Sequence, residues 1–186
     1  MATAPPLVDP RDLHAAAYHK AGHVVIAWTC GREVSTATIA RSAAHAGRVL
    51  HRNCGRRGHL DHVDPRFRAM MIAAAGALAE RRAGFEGSFF GSLADLKSIR
   101  APLAELAAER GVGRDVKWQQ VQRKVRRALR DPEVWRSVEA VASALVAHGT
   151  LVQDEIEKLI RRSGSSPVPA ARSGAGARHP SRPLFL

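Results

Sequence analysis

The 186-residue chain has little of what builds small disulfide-bonded or membrane-spanning proteins. Its two cysteines, Cys30 and Cys54, are too few for a disulfide framework, which favours a reduced protein. The nearly uncharged run of residues 21–31 is much shorter than the roughly 18 residues that a membrane-spanning helix needs, and no uncharged run in the sequence reaches that length. The chain also begins without the charged and then apolar pattern of a secretory leader. We therefore expect a cytoplasmic protein without a membrane span.

The two ends of the chain, residues 1–8 and 163–186, are rich in Pro, Gly, Ser and Ala. They contain too few large apolar residues to offset the entropy of ordering. We predict that both ends are disordered and that one domain occupies residues 9–162. Hydrophobic residues make up 45% of the chain, with strong use of Ala and Leu, so we expect an ordered and mainly helical fold, mainly α in the α+β sense.

The charge is strongly one-sided, with a formal net charge of +12. Such a surplus would suit a nucleic acid or an anionic membrane surface as a partner. The basic residues are mostly Arg and are scattered along the chain, and neither aromatic interleaving nor zinc-finger spacing accompanies them. We interpret them as a solvated, Arg-rich surface, and nucleic-acid binding remains an alternative that is not favoured.

The first part of the domain alternates between helix and strand patterns. Asp9 and the proline after it are typical of a helix start, and the apolar pattern that follows predicts a helix over 10–29. Alternating β-branched residues predict a strand over 33–40, and a weaker pattern predicts a second strand over 47–51. We therefore expect a short sheet packed against the first helix.

The rest of the domain is predicted to be a bundle of helices. Ser92 is expected to cap one of them, Pro102 to kink it, and Thr150 to cap the last. The predicted helices cover 65–82, 93–110, 115–130, 132–149 and 151–162.

Two histidines lie four residues apart in the first predicted helix, at His19 and His23. Residues at this spacing project from the same helix face, so the two imidazoles can share one metal ion. Taken alone, the pair also fits a core helix that happens to contain two histidines. A tetrahedral zinc site needs a third protein ligand and an open position as well.

The surroundings of the pair carry a family resemblance. The segment YHKAGHVVIAW resembles the zinc helix of the FtsH family of ATP-dependent zinc metalloproteases, which reads Tyr-His-Glu-Ala-Gly-His-Ala-Val. Four later segments look like further motifs of that family, in the same order. They are TIARSAAHAGRVL (its strand pair), AAAGALAERRAG (its Gly-Gly-Arg-x-Ala-Glu-Glu helix), GSLADLKSI (its Gly-Ala-x-x-Asp-Leu segment) and ALVAHGTLVQDEIEKLI (its closing pattern). The resemblance covers residues 13–160.

The resemblance implies a ligand set for zinc. The family's third zinc ligand is the aspartate of the Gly-Ala-x-x-Asp-Leu segment, and the matching residue here is Asp95, which follows His23 by 72 residues. His19, His23 and Asp95 would then hold the metal, and two imidazoles with one carboxylate suit Zn²⁺. Glu80 matches a buried glutamate of the family and is expected to support a ligand histidine.

Lys20 stands where the family has its catalytic glutamate. In H-E-x-x-H peptidases that glutamate accepts a proton from the attacking water and passes it to the leaving amine. An ammonium group with a reference pKa of about 10.4 cannot accept that proton at neutral pH. We therefore expect that Lys20 does not function as the general base and that peptidase activity is impaired or absent.

Three alternatives to this interpretation stay open. In the first, a neutral Lys20 amine acts as the base, because a nearby dication and burial both lower a lysine pKa. In the second, Glu80 or Glu86 takes over the role of the missing acid. In the third, no metal binds, and Lys20 pairs with Asp95 instead.

The sequence also limits the partners. It contains no Gly-x-x-x-x-Gly-Lys-Ser/Thr loop, so we expect no ATP binding by this chain. The predicted function is a zinc-binding, FtsH-peptidase-like domain that acts as a binding or regulatory module for a protein or peptide. An active metallopeptidase with another base and a nucleic-acid-binding protein are the alternatives, and homo-oligomers remain open. A second metal in the loop is a further alternative, with candidate ligands His51, Cys54, His59 and His62.

Overall fold

The computed structural model describes residues 9–42, 45–53, 63–85 and 89–164. The predictions of disorder for 1–8 and 163–186 therefore lie outside the described residues, except for the turn that ends the last helix. Within the described ranges, no helix is both long and apolar enough to cross a membrane.

The fold is mainly α with a small antiparallel sheet, which confirms the predicted fold class. Helices α1 and α2 begin and end at the predicted residues, each after an aspartate N-cap that accepts a hydrogen bond from the helix backbone. The elements in chain order are α1 Pro10–Thr29, β1 Arg32–Ser42, β2 His45–Asn53, α2 Pro65–Arg82, α3 Phe89–Glu109, α4 Arg114–Arg130, α5 Pro132–His148, β3 Thr150–Val152 and α6 Gln153–Arg162.

The sheet has the order β2-β1-β3, with both pairings antiparallel. In β1, Ala37 lies opposite Val49 of β2 on one side and opposite Leu151 of β3 on the other. Among the described strands, β2 therefore occupies an edge of the sheet. Helix α1 contacts both β1 and β2.

Strand β3 corrects the prediction that Thr150 caps a helix over 151–162. The helix begins only at Gln153, because the three residues before it pair with β1. Gly149, at φ 72°, turns the chain at the end of α5, and Leu151 is then buried. Thr150 donates its hydroxyl to the Thr38 hydroxyl at 2.8 Å. Burial and pairing with a distant strand outweighed the local capping pattern.

Helix α3 corrects a second boundary. It begins at Phe89, so Ser92 lies inside the helix rather than at its cap, and Pro102 lies inside it as predicted. A serine cap contributes only about 1 kcal/mol, which does not by itself fix where a helix starts.

The core is built around α1, in which every residue from Ala21 to Trp28 is buried. Gly22 lies at its closest approach to α2. A Cβ on Gly22 would stand 2.6 Å from the Ala75 carbonyl oxygen and 2.7 Å from the Ala79 Cβ. Small residues on both helices therefore permit a crossing that larger side chains would block. This crossing brings α2 against the histidine face of α1.

Candidate metal centre

Three side chains from two distant parts of the chain converge at one point. His19 and His23 project from α1, and Asp95 reaches them from α3. The His19 Nε2 and His23 Nε2 atoms are 3.1 Å apart, and each lies 3.2 Å from Asp95 Oδ2. Both imidazoles are buried, with 2% and 6% of their surface exposed. The structure thus brings together the three residues predicted to hold a metal.

The size of this triangle suits a small divalent cation. Zinc binds histidine nitrogens and carboxylate oxygens at about 2.0–2.2 Å, so tetrahedral ligands lie about 3.3 Å apart. The three measured edges are close to that separation. The residues present therefore fit a tetrahedral metal ion with three protein ligands.

The hydrogen bonds of the two Nδ1 atoms fix the tautomer of each histidine. The Ile72 carbonyl oxygen lies 2.7 Å from His23 Nδ1, and because it can only accept, this nitrogen carries the proton. Glu80 Oε2 lies 3.0 Å from His19 Nδ1, and an ionised carboxylate likewise accepts from it. In the neutral imidazoles both Nε2 atoms then carry lone pairs. Together with Asp95 Oδ2 they form a set of three acceptors that needs a cation or an added proton between them.

The pKa values of the two histidines shift in opposite directions, while that of Asp95 is lowered. For His23, burial lowers the pKa although Asp95 opposes this effect. For His19, burial also lowers the pKa, but hydrogen bonds to Asp95 and Glu80 outweigh it, so the net shift is upward. Burial raises the pKa of Asp95, and its contacts with the two imidazoles more than reverse that, leaving it lowered. The carboxylate is therefore kept ionised beside the imidazoles.

Glu80 occupies the position expected of a residue that supports a ligand. It lies on α2 and is fully buried against the His19 ring. A carboxylate at Nδ1 holds the tautomer in which Nε2 is free to bind and fixes the orientation of the ring.

Gly76 is the residue of this site that the sequence reasoning missed. It lies on α2, directly against the imidazoles. A Cβ there would stand 2.5 Å from His23 Nε2 and 2.6 Å from His19 Nε2, so any larger residue would enter the space in front of both nitrogens. A glycine inside an Ala-rich helix is the signal that could have identified it, because such a glycine often marks a close approach.

Lys20 follows His19 on α1 and is partly buried beside β2, where its Cε lies 3.1 Å from the position of a Cβ on Gly47. Burial lowers the pKa of Lys20, while Asp95 and Glu80 partly counter this. No ion pair joins Lys20 to Asp95, because the Asp95 carboxylate contacts the two histidines instead. The Lys20–Asp95 pair of the metal-free alternative is thus not found, and metal binding itself stays a prediction.

Most of the second predicted metal site lies outside the described residues. Cys54, His59 and His62 belong to that part, as does Glu86, the alternative acid. His51 lies on β2, and its Nδ1 is buried with no hydrogen-bond partner among the described residues. Burial, with smaller contributions from Arg32 and His23, lowers the pKa of His51. A second metal remains a prediction.

Comparison with known proteins gives no family or relative from which a function could be inferred. No protein-family model and no curated protein matches this chain. The arrangement of donors, their burial and their hydrogen-bond partners are therefore the basis for a function.

Proposed function

We propose that this chain is a zinc-binding, metallopeptidase-like domain of the FtsH type, with peptidase activity impaired or absent, that serves as a binding or regulatory module. The observation that carries the proposal is the convergence of His19 Nε2, His23 Nε2 and Asp95 Oδ2 within 3.2 Å of one another. Both histidines use Nδ1 for other partners, which leaves the converging atoms available for a metal.

Zinc is the metal that this donor set favours. Two imidazoles and one carboxylate are typical ligands of a zinc centre with three protein ligands. Bound zinc supplies Lewis-acid chemistry. The chain's own contribution is to bury the two imidazoles, to fix the His19 tautomer through Glu80 and to keep the nearby space clear at Gly76.

Lys20 is the reason for proposing an impaired enzyme. The equivalent position of an H-E-x-x-H peptidase holds a carboxylate that accepts and returns a proton, which contributes about 10²- to 10⁴-fold in rate. A protonated lysine offers donors only and cannot accept that proton. The site can then bind a substrate carbonyl without the proton transfer that cleavage requires.

An extended peptide of a protein partner is the proposed occupant of the adjacent surface. Strand β2 lies at the sheet edge among the described strands, and its Gly47 adjoins the Lys20 side chain. An edge strand offers unpaired backbone groups to which a peptide can add as a further strand. Such a peptide would pass close to the metal centre.

The metal part of the proposal is tested by elemental analysis after dialysis against zinc and then against buffer. Wild-type protein is expected to retain one zinc ion per chain, and His23→Ala to retain almost none, because one of three protein ligands is lost. His14→Ala is the matched control, since His14 is an exposed histidine on the same helix. Wild-type protein without zinc, or equal loss in both variants, would contradict the assignment.

The catalytic part is tested by placing a carboxylate at position 20. Wild-type protein is expected to hydrolyse unfolded casein at near-background rates, and Lys20→Glu to gain a chelator-sensitive activity of about 10²-fold or more. Lys20→Gln removes the ammonium without supplying a base and should stay inactive. Rapid hydrolysis by the wild-type protein that is lost in His23→Ala would favour instead an active peptidase with a different base.

A further inference from the structure

A second concave region lies between α2 and α4, and we call it the arginine cleft. It encloses about 390 Å³. Its floor consists of two buried leucines, and its rim carries four exposed arginines. The lining residues are Leu78, Arg81, Arg82, Arg126, Leu129 and Arg130.

The positive charge of the cleft is not compensated locally. Among the described side chains, none of the four arginines takes part in an ion pair. Arg82 donates to the Leu129 carbonyl oxygen and lies over the Trp135 ring at 4.3 Å. Arg126 donates to the Gln122 side chain at 3.2 Å. Neutral partners thus position two of the guanidinium groups while their charges remain available to an anion.

An apolar chamber adjoins the cleft and shares Leu78 and Arg81 with it. The chamber encloses about 220 Å³ between α2, α3 and α4, and Ile99 and Trp118 contribute to its walls. Asp95 also belongs to its lining. A ligand that spans both spaces would therefore place its apolar part in the chamber and its anionic group on the arginines of the cleft.

We propose that the cleft and chamber together bind a small phosphorylated molecule with an apolar or aromatic body. Several guanidinium groups around one concavity favour a phosphate dianion with several acceptor oxygens over a single carboxylate. The concave shape suits a small molecule, since duplex DNA is contacted by elements that protrude into its grooves. The arginines that would bind the phosphate are not part of the metal centre, although the chamber shares Asp95 with it.

Isothermal titration calorimetry with three probes tests the two-part design. The first probe, 1-naphthyl phosphate, carries both the aromatic body and the anion. The second, 1-naphthol, carries only the body, and the third, inorganic phosphate, carries only the anion. We expect 1-naphthyl phosphate to bind at least about tenfold more tightly than either fragment, because it contacts the chamber and the arginines together. No binding, or equal affinity for all three probes, would overturn the proposal.

Two double variants of α4 test whether the arginines of the cleft bind the phosphate group. Arg126→Gln with Arg130→Gln removes two guanidinium groups from the lining. Arg123→Gln with Arg127→Gln removes two exposed charges at the same spacing on the same helix, outside the lining. The first pair should weaken 1-naphthyl phosphate binding by about tenfold or more and the second by less than about twofold.

These exposed substitutions should leave folding intact, which circular dichroism melting curves check. Equal weakening by both pairs would show a general attraction of anions to the basic surface of α4 and would overturn a specific site. A single-stranded oligonucleotide is the second comparison. If it bound more tightly than 1-naphthyl phosphate, and if both pairs weakened its binding equally, the proposal would also be overturned and the surface would be assigned to nucleic acid.

Discussion

Helices α1 and α4 have similar lengths, 20 and 17 residues, but opposite surroundings. In α1 the residues of 21–28 are all buried, and the helix packs against α2, α5 and β1. In α4 only a single stripe at four-residue spacing is buried, and most of its other residues are charged and exposed. The stripe consists of Lys117, Val121, Val125 and Leu129.

This difference decides what polar residues can do in each helix. The buried histidines of α1 each need a defined partner, because an unsatisfied buried polar group is costly. The arginines of α4 stay in water and act through their collective charge. The metal centre therefore depends on individual atoms, whereas the arginine cleft depends on the number and placement of charges.

The largest expected effect comes from the buried stripe of α4. Leu129→Ala should lower the free energy of unfolding by about 2–5 kcal/mol, because it leaves a cavity under an otherwise exposed helix. Arg123→Ala on the exposed face of the same helix should change it by less than about 0.5 kcal/mol. Urea denaturation measures both. Similar losses of unfolding free energy in the two variants would contradict the difference proposed between the buried stripe and the exposed face of α4.

A smaller effect is expected where α2 crosses α1. Gly76→Ala should cost about 1–3 kcal/mol of stability and abolish zinc retention, since the new methyl group would clash with both Nε2 atoms. Gly113→Ala is the matched control, because a Cβ on Gly113 meets nothing within 4 Å and its φ of −65° is open to alanine, so only a small loss of capping of α4 is expected. If Gly76→Ala bound zinc as the wild-type protein does, the close approach would not matter to the site.

The smallest effect is expected from the carboxylate behind His19. Glu80→Gln keeps the shape of the side chain but weakens its hold on the His19 Nδ1 proton, so zinc affinity should fall by about 10- to 100-fold. Competition with a chromophoric chelator measures the change. Glu105→Gln, an exposed glutamate on α3, serves as the control. Unchanged affinity in Glu80→Gln would mean that the ring is held by packing alone.

Local patterns predicted much of the fold because their causes lie within a few residues. The Asp9 cap with its following proline in α1, and Pro65 in α2, gave the starts of both helices correctly. The same reasoning failed at Thr150, where the capping pattern was real but pairing with β1 produced a strand. It also missed Gly76, whose role exists only because another helix packs against it.

What the sequence alone determined is the shared direction of His19 and His23, because four residues of helix place two side chains on one face whatever surrounds them. Only the tertiary structure decided that Asp95 completes the cluster, that Ile72 and Glu80 take the outer nitrogens, and that arginines of α2 and α4 line one cleft. Helical geometry is set by local backbone bonds, whereas these contacts depend on how distant helices pack.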